Sequence, residues 1–157
     1  MPYIWAMNVF DLQKQTRNNI LQIVEHLTLE QLNKIPSGLN NNIFWNFGHV
    51  VVAQQLLNYR ISNLPMKVGD DLVELFRKGS SASTYDQALL DKLKGLTLSL
   101  TEETKKDYDN GVFVEFTTYP TSYGITLENI EDALAFNNAH EALHLGYIMA
   151  LRRMVTN

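Results

Sequence analysis

The sequence predicts an all-α protein, a four-helix bundle, and three observations carry that expectation. Apolar residues recur by threes and fours along most of the chain, the period of amphipathic helices. Four of the segments so marked are long, and a join of roughly 22 residues between the second and third is long enough to cross a bundle. The length of 157 residues fits one domain over 1–157, because single cores run to about 100–200 residues.

The first long helix is marked by Val9, Leu12, Thr16, Ile20, Ile23 and Leu27 on one face. Asn8 is its expected N-cap. A short element, Thr28 to Leu32, opens on a capping threonine and stops at Ile35-Pro36-Ser37-Gly38. The second long helix is expected from Ile43 to about Ile61. No charged residue lies between Lys34 and Arg60, and the apolar positions cover nearly its whole circumference. Such a helix is buried in a core or used as an interface. Its polar members Asn46, His49, Gln54, Gln55 and Asn58 therefore need partners.

Ser62-Asn63-Leu64-Pro65 breaks that helix, and Asp70 to Lys78 is expected as a short one. The third long helix is predicted over Thr84 to Asp109, with Tyr85, Leu89, Leu93, Leu96 and Leu100 as its stripe. Val112 to Tyr119 is β-branched and aromatic and predicts extended chain. Pro120 to Gly124 is a loop. The fourth long helix is predicted from Leu127 to Met154, with Thr126 as N-cap, Glu128 in its first turn and Arg152 and Arg153 at its end. Short loops make neighbouring helices antiparallel, whereas the long join frees the second and third from that constraint.

Composition excludes several functions. Net charge is −4 and the isoelectric point about 5.5, which argues against broad nucleic-acid binding and polybasic membrane attachment. Cysteine is absent, which removes disulfides, thiolate nucleophiles and cysteine metal sites. Met1 to Asn8 lacks the pattern of a leader, and no apolar run approaches the ~20 residues of a spanning helix. Cytoplasmic residence is the expectation.

Any transition-metal site must use histidine and carboxylate, and there are four histidines. His140 and His144 lie four apart, on one helix face and one turn from each other. The string His140-Glu141-Ala142-Leu143-His144 spells H-E-x-x-H, a zinc-protease signature in which the glutamate is the base. No His, Asp or Glu follows His144, so the downstream third ligand of such a protease is missing. His49, in the middle of the apolar second helix, is the natural third ligand, since bundle cores gather ligands from facing helices. His26 ends the first helix, where a cation is favourable without a metal. Glu141 is expected to face away from the ion or to pair with a neighbour. Asn46, Asn137 and Tyr147 stand three residues from a candidate ligand, where each could orient an imidazole or touch a substrate. Trp45 and Phe47 are expected as core.

Asn42-Ile43-Phe44-Trp45-Asn46-Phe47-Gly48-His49 resembles the W-x-x-G-H helix of the DinB/YfiT-like superfamily. His140 to Gly146 resembles its H-x-x-x-H-x-G helix, with Leu145 where many members carry arginine. The order of the motifs also agrees, and so does the Leu-Thr-x-Glu-Gln-Leu segment that leads to Pro36-Ser37-Gly38. The resemblance implies the up-down-down-up bundle of that family, with its crossed connection. It implies a divalent metal, nickel or zinc, on His49, His140 and His144, and a homodimer acting on a small-molecule substrate. It implies transfer of a low-molecular-weight thiol such as bacillithiol, mycothiol or glutathione. A non-enzymatic metal-binding or interaction module is the alternative. Three neutral imidazoles leave open positions on an ion, as at catalytic centres, and a cysteine-free chain must borrow its sulfur.

Overall fold

The computed structural model describes residues 8–156. Met1 to Met7, on which the expectation of no leader rests, lie outside the described residues. Helices dominate. They are α1 Val9–Glu25, α2 Leu29–Asn33, α3 Ile43–Gln55, α4 Asp70–Phe76, α5 Gln87–Asp109 and α6 Ile130–Thr156. A π-helical turn, Leu56–Arg60, continues α3.

Local chemistry sets the ends. The Asn8 side chain accepts from the Phe10 N–H. Thr28 and Gln31 form a reciprocal capping box. Asn42 caps α3 through the Trp45 N–H, and Asp86 caps α5 through the Leu89 N–H, so α5 starts after the expected Thr84. The fourth long helix also starts later than expected. Asn129 accepts from the Asp132 N–H at 2.8 Å and is the residue that caps α6. Thr126 and Leu127 instead form a strand, β2, paired antiparallel with β1, Tyr119–Pro120. Glu128 therefore precedes the helix.

The predicted extended segment is not a strand over Val112 to Thr118. One backbone bond, Thr117 N–H to Ile61 O at 2.7 Å, straps it to the end of the π turn. Its aromatic residues cap the bundle end: Phe113 and Phe116 pack against Phe10, Leu57, Leu127 and Ile130.

The four long helices close a ring, α1 against α6, α6 against α3, α3 against α5, and α5 against α1. Every residue of α3 is buried, so its all-round apolar character serves the core. Most of its polar members find partners. Gln54 donates to Thr104 and the Leu100 carbonyl, and Gln55 accepts from the Lys67 N–H. Asn58 is buried, and neither of its amide atoms has a partner among the described residues.

Two expected stripes are displaced. On α1, Leu12 is exposed while Gln13 and Arg17 are buried. On α5, Leu90, Thr97, Thr101 and Thr104 join Leu93 and Leu100 inside. Thr97 and Thr104 return their hydroxyls to carbonyls four residues back, at 2.6 and 2.7 Å, which removes the cost of burying them.

Candidate metal centre

Gly48 begins the site. A Cβ there would collide with the Phe76 ring, so glycine is what lets α4 lie against α3. That approach delivers the Phe76 carbonyl to His49, whose Nδ1 lies 2.6 Å from it. Trp45 stacks on the His49 ring with centroids 4.7 Å apart and 11° between planes. The Trp45 indole donates to Ser80 Oγ at 2.9 Å. Trp45 and Phe47 are both buried, as core residues should be.

His144 is held from α3 as well. Asn46 donates its amide to the Asn42 carbonyl at 2.7 Å, which fixes its oxygen toward His144 Nδ1, 2.8 Å away. A carbonyl oxygen only accepts. His49 and His144 therefore carry their protons on Nδ1, and each leaves a free lone pair on Nε2. His140 Nε2 stands 3.2 Å from His49 Nε2, and its buried Nδ1 has no partner among the described residues.

The three histidines bring one ligand nitrogen each to within 4.8 Å of one another. Nitrogens about 2.0–2.1 Å from a tetrahedral ion stand roughly 3.4 Å apart, close to the His49–His140 separation. Burial lowers the pKa of His49, opposed in part by its bond to Phe76. Burial and then the neighbouring histidines push His140 down to about 4 and His144 down to about 3. All three are neutral at pH 7, the state in which imidazole binds metal. The free Nε2 lone pairs of His49 and His144, with one nitrogen of each of the three histidines within 4.8 Å of the others, fit a divalent cation.

Glu141 points elsewhere. Its side chain and that of Arg17 are both fully buried and 2.8 Å apart. Gln13 and Asn137 also donate to its Oε1, at 2.9 and 2.8 Å. Arg17 spends its remaining donors on the Thr97 carbonyl of α5 at 2.7 Å and the Val50 carbonyl of α3 at 3.3 Å. One guanidinium thus touches all four long helices. A carboxylate held this way cannot serve as the base of an H-E-x-x-H protease, and the string is a coincidence of spacing.

The candidate residues therefore separate. Asn46 meets His144, a helix away from the His49 it precedes. Asn137 bonds Glu141 and not an imidazole. Tyr147 is 36% exposed. His26 is exposed with its Nδ1 on the Gln22 carbonyl at 2.6 Å. Gln13 and Arg17 lie outside the apolar spacing that marks α1, so that spacing gives no sign of their burial. The buried glutamate that needed a cation was the available signal.

A cavity of about 120 Å³ opens beside His49 and His140. Ala53, Leu56, Leu57 and Phe136 wall it, and Lys78, Tyr119, Thr121 and Ser122 line the rest. Tyr119 belongs to β1, and Thr121 and Ser122 to the turn joining it to β2.

A mostly helical protein with three convergent histidines on two core helices is a candidate metalloprotein. The family described as the DinB superfamily matches residues 13–148, and the chain belongs to that superfamily. No curated protein matches the sequence significantly. No described helix is long and apolar enough to cross a membrane.

Proposed function

We propose that the protein is a metal-dependent enzyme that transfers a low-molecular-weight thiol to an electrophile. The observation that carries this reading is a trio of convergent, neutral imidazoles, His49 and His144 oriented by hydrogen bonds and His49 and His140 lining a cavity. The sulfur forms a bond to an electrophilic carbon, the leaving group departs with the bonding pair, and the thiol proton passes to solvent. His49, His140 and His144 would hold the ion, with nickel and zinc both suited to imidazole. When bound, a divalent ion supplies a Lewis acid that makes a thiol nucleophilic at neutral pH. Phe76 and Asn46 fix the rings of His49 and His144, and the apolar cavity wall restricts water. The absence of cysteine leaves the thiol to a small molecule, which the cytoplasm keeps reduced. The up-down-down-up order of the superfamily is part of the proposal, and the long join is compatible with it.

Metal analysis of untagged protein tests the centre, and the expected result is about one divalent ion per chain after incubation with nickel or zinc. Loaded protein is then expected to conjugate a generic electrophile with at least one thiol of a panel, and to stop on chelation. Silence across the panel with metal bound would favour the non-enzymatic module.

We propose that the working form is a homodimer, paired through α6. The buried α3 offers no face for this. On α6, Ala135, Ala139, Ala142, Leu143, Gly146 and Ala150 are exposed, and Leu143 is 59% so. Laid antiparallel on its copy, Asp132 meets Arg153, Ala135 meets Ala150, and Ala139 meets Gly146. Opposite charges and small residues pair throughout, as a two-fold interface requires. The space around a Cβ at Gly146 is empty, so nothing described within the chain calls for glycine there. The cysteine-free chain makes cross-linking clean. Ala142→Cys is expected to join two copies, Ala139→Cys alone to fail, and Ala139→Cys with Gly146→Cys to succeed. A monomer by light scattering would overturn the pairing.

A further inference from the structure

The charge of the cavity identifies the class of ligand. None of its lining residues is acidic. His49 and His140 line it, and imidazole binds a metal as a neutral ligand, so a divalent ion held by the three histidines would keep its full charge. Lys78 adds another positive charge at the same cavity. Like Lys34, Lys94 and Lys106, and unlike the paired Lys14, Lys67, Lys92 and Lys105, Lys78 has no carboxylate partner among the described residues; of these unpaired lysines it is the one that lines this cavity. In a chain of net charge −4, this is a local concentration of uncompensated positive charge. Low-dielectric walls strengthen it, because Ala53, Leu56, Leu57 and Phe136 screen less than water does.

The position of Lys78 is built in with the metal centre. Phe76 ends α4 and gives its carbonyl to His49, and Lys78 follows in the turn after it. The packing of Gly48 on Phe76 thus places both His49 and Lys78 on one cavity. Its volume of about 120 Å³ is some four times a water's share of the liquid, roughly 30 Å³. That is room for a short ligand or the head of a longer one.

We propose that the thiol substrate carries an anionic group, carboxylate or sulfonate, that Lys78 binds while the sulfur faces the three histidines. Lys78 is a specificity residue in this scheme and takes no part in bond making. The inference rests on the metal-dependent reading above.

Protein loaded with cobalt, a spectroscopic substitute that binds imidazole, separates the two. Titration with 2-mercaptoethanol, 3-mercaptopropionate and 2-mercaptoethanesulfonate reports binding through the thiolate-to-cobalt absorption, with no turnover needed. The acidic thiols are expected to bind about fivefold to tenfold tighter than the neutral one, the scale of one charge-assisted hydrogen bond at a partly exposed site. The two acidic probes distinguish carboxylate from sulfonate. Lys78→Gln is expected to abolish the preference while leaving cobalt uptake and 2-mercaptoethanol binding unchanged, and Lys78→Glu to reverse it. Equal binding of charged and neutral thiols by the unmodified protein, or a preference that survives Lys78→Gln, would overturn the inference while leaving the metal centre standing. Failure to take up cobalt, nickel or zinc would overturn both.

Discussion

His140 and Glu141 are neighbours in sequence and opposites in environment. Glu141 is fully buried and accepts from Arg17, Gln13 and Asn137. His140 is partly buried, faces another imidazole nitrogen, and keeps a second nitrogen without a partner among the described residues. One step along a helix turns a side chain by about 100°, enough to move from a closed cluster to an open one. A closed polar cluster stabilises an arrangement of helices, because all its hydrogen-bonding capacity is spent inside. An open cluster with facing lone pairs has capacity left for an ion. The difference separates structural polarity from chemical polarity in the same core.

The closed cluster gives the largest expected effect. Arg17→Met leaves Glu141 buried without its cation, and breaking a buried pair costs about 3–5 kcal/mol. Urea denaturation checks this. Arg17→Met with Glu141→Met is expected to recover most of the loss, because apolar replacements of buried ion pairs are often neutral. If the single variant is as stable as the parent, the cluster is not what ties the helices together.

The open cluster responds in metal affinity. His49→Ala, His140→Ala and His144→Ala are each expected to weaken nickel or zinc binding by about a hundredfold or more, since each removes one of three ligands from a site worth ~10 kcal/mol or above. His26→Ala should change nothing. Asn46→Leu removes the oxygen that orients His144 and is expected to cost about 10–100-fold in affinity. Asn137→Leu should lower stability without touching affinity. Calorimetric titration of the apoproteins reads all six. A metal defect in Asn137→Leu, or none in Asn46→Leu, would erase the boundary between the clusters.

Gly48 belongs to both packing and chemistry. Gly48→Ala forces a methyl into the Phe76 ring, and overpacking of this kind costs about 1–3 kcal/mol. It should also loosen the bond from the Phe76 carbonyl to His49 and weaken the metal. Gly146→Ala has open space around it. Its monomer gains up to ~1 kcal/mol of helix propensity, with no effect on metal.

Much of this was legible in the sequence, and the illegible parts share a cause. Apolar spacing located the long helices, and the four-residue step placed His140 with His144. Capping residues with one competitor-free acceptor, Asn8 and Thr28, were read correctly. Thr126 was not, because the strand pairing of Tyr119 with Leu127 is a tertiary fact that local capping preference cannot anticipate. The α1 stripe failed for a related reason. Arg17 and Gln13 are inside because Glu141 is, and a pair 124 residues apart leaves no periodic trace. The orientation of His49 depends on a backbone carbonyl, which every residue possesses and no sequence marks.

The smallest effect comes from a third polar group, which lies between the other two in exposure. Lys67 and Asp107 pair at 2.7 Å with side chains 30% and 20% exposed, and the Tyr59 hydroxyl donates to Asp107 at 2.6 Å. Burial raises the pKa of Asp107, but the bonds from Lys67 and Tyr59 outweigh it and leave the value below the usual 3.8. The bond to Asp107 likewise raises Lys67. A carboxylate with a depressed folded-state pKa stabilises the fold above its unfolded value, and the contribution disappears as pH falls through the folded value. The pair should therefore contribute at neutral pH, by up to ~1 kcal/mol given its solvent screening, and nothing in strong acid. Asp107→Asn is expected to be less stable than the parent at pH 7 and indistinguishable from it at the acid end of the titration. Raising the salt concentration should narrow the gap at pH 7. The Arg17–Glu141 pair, closed to solvent, should show no such salt dependence. Equal salt sensitivity in the two pairs would mean that burial is not what distinguishes them.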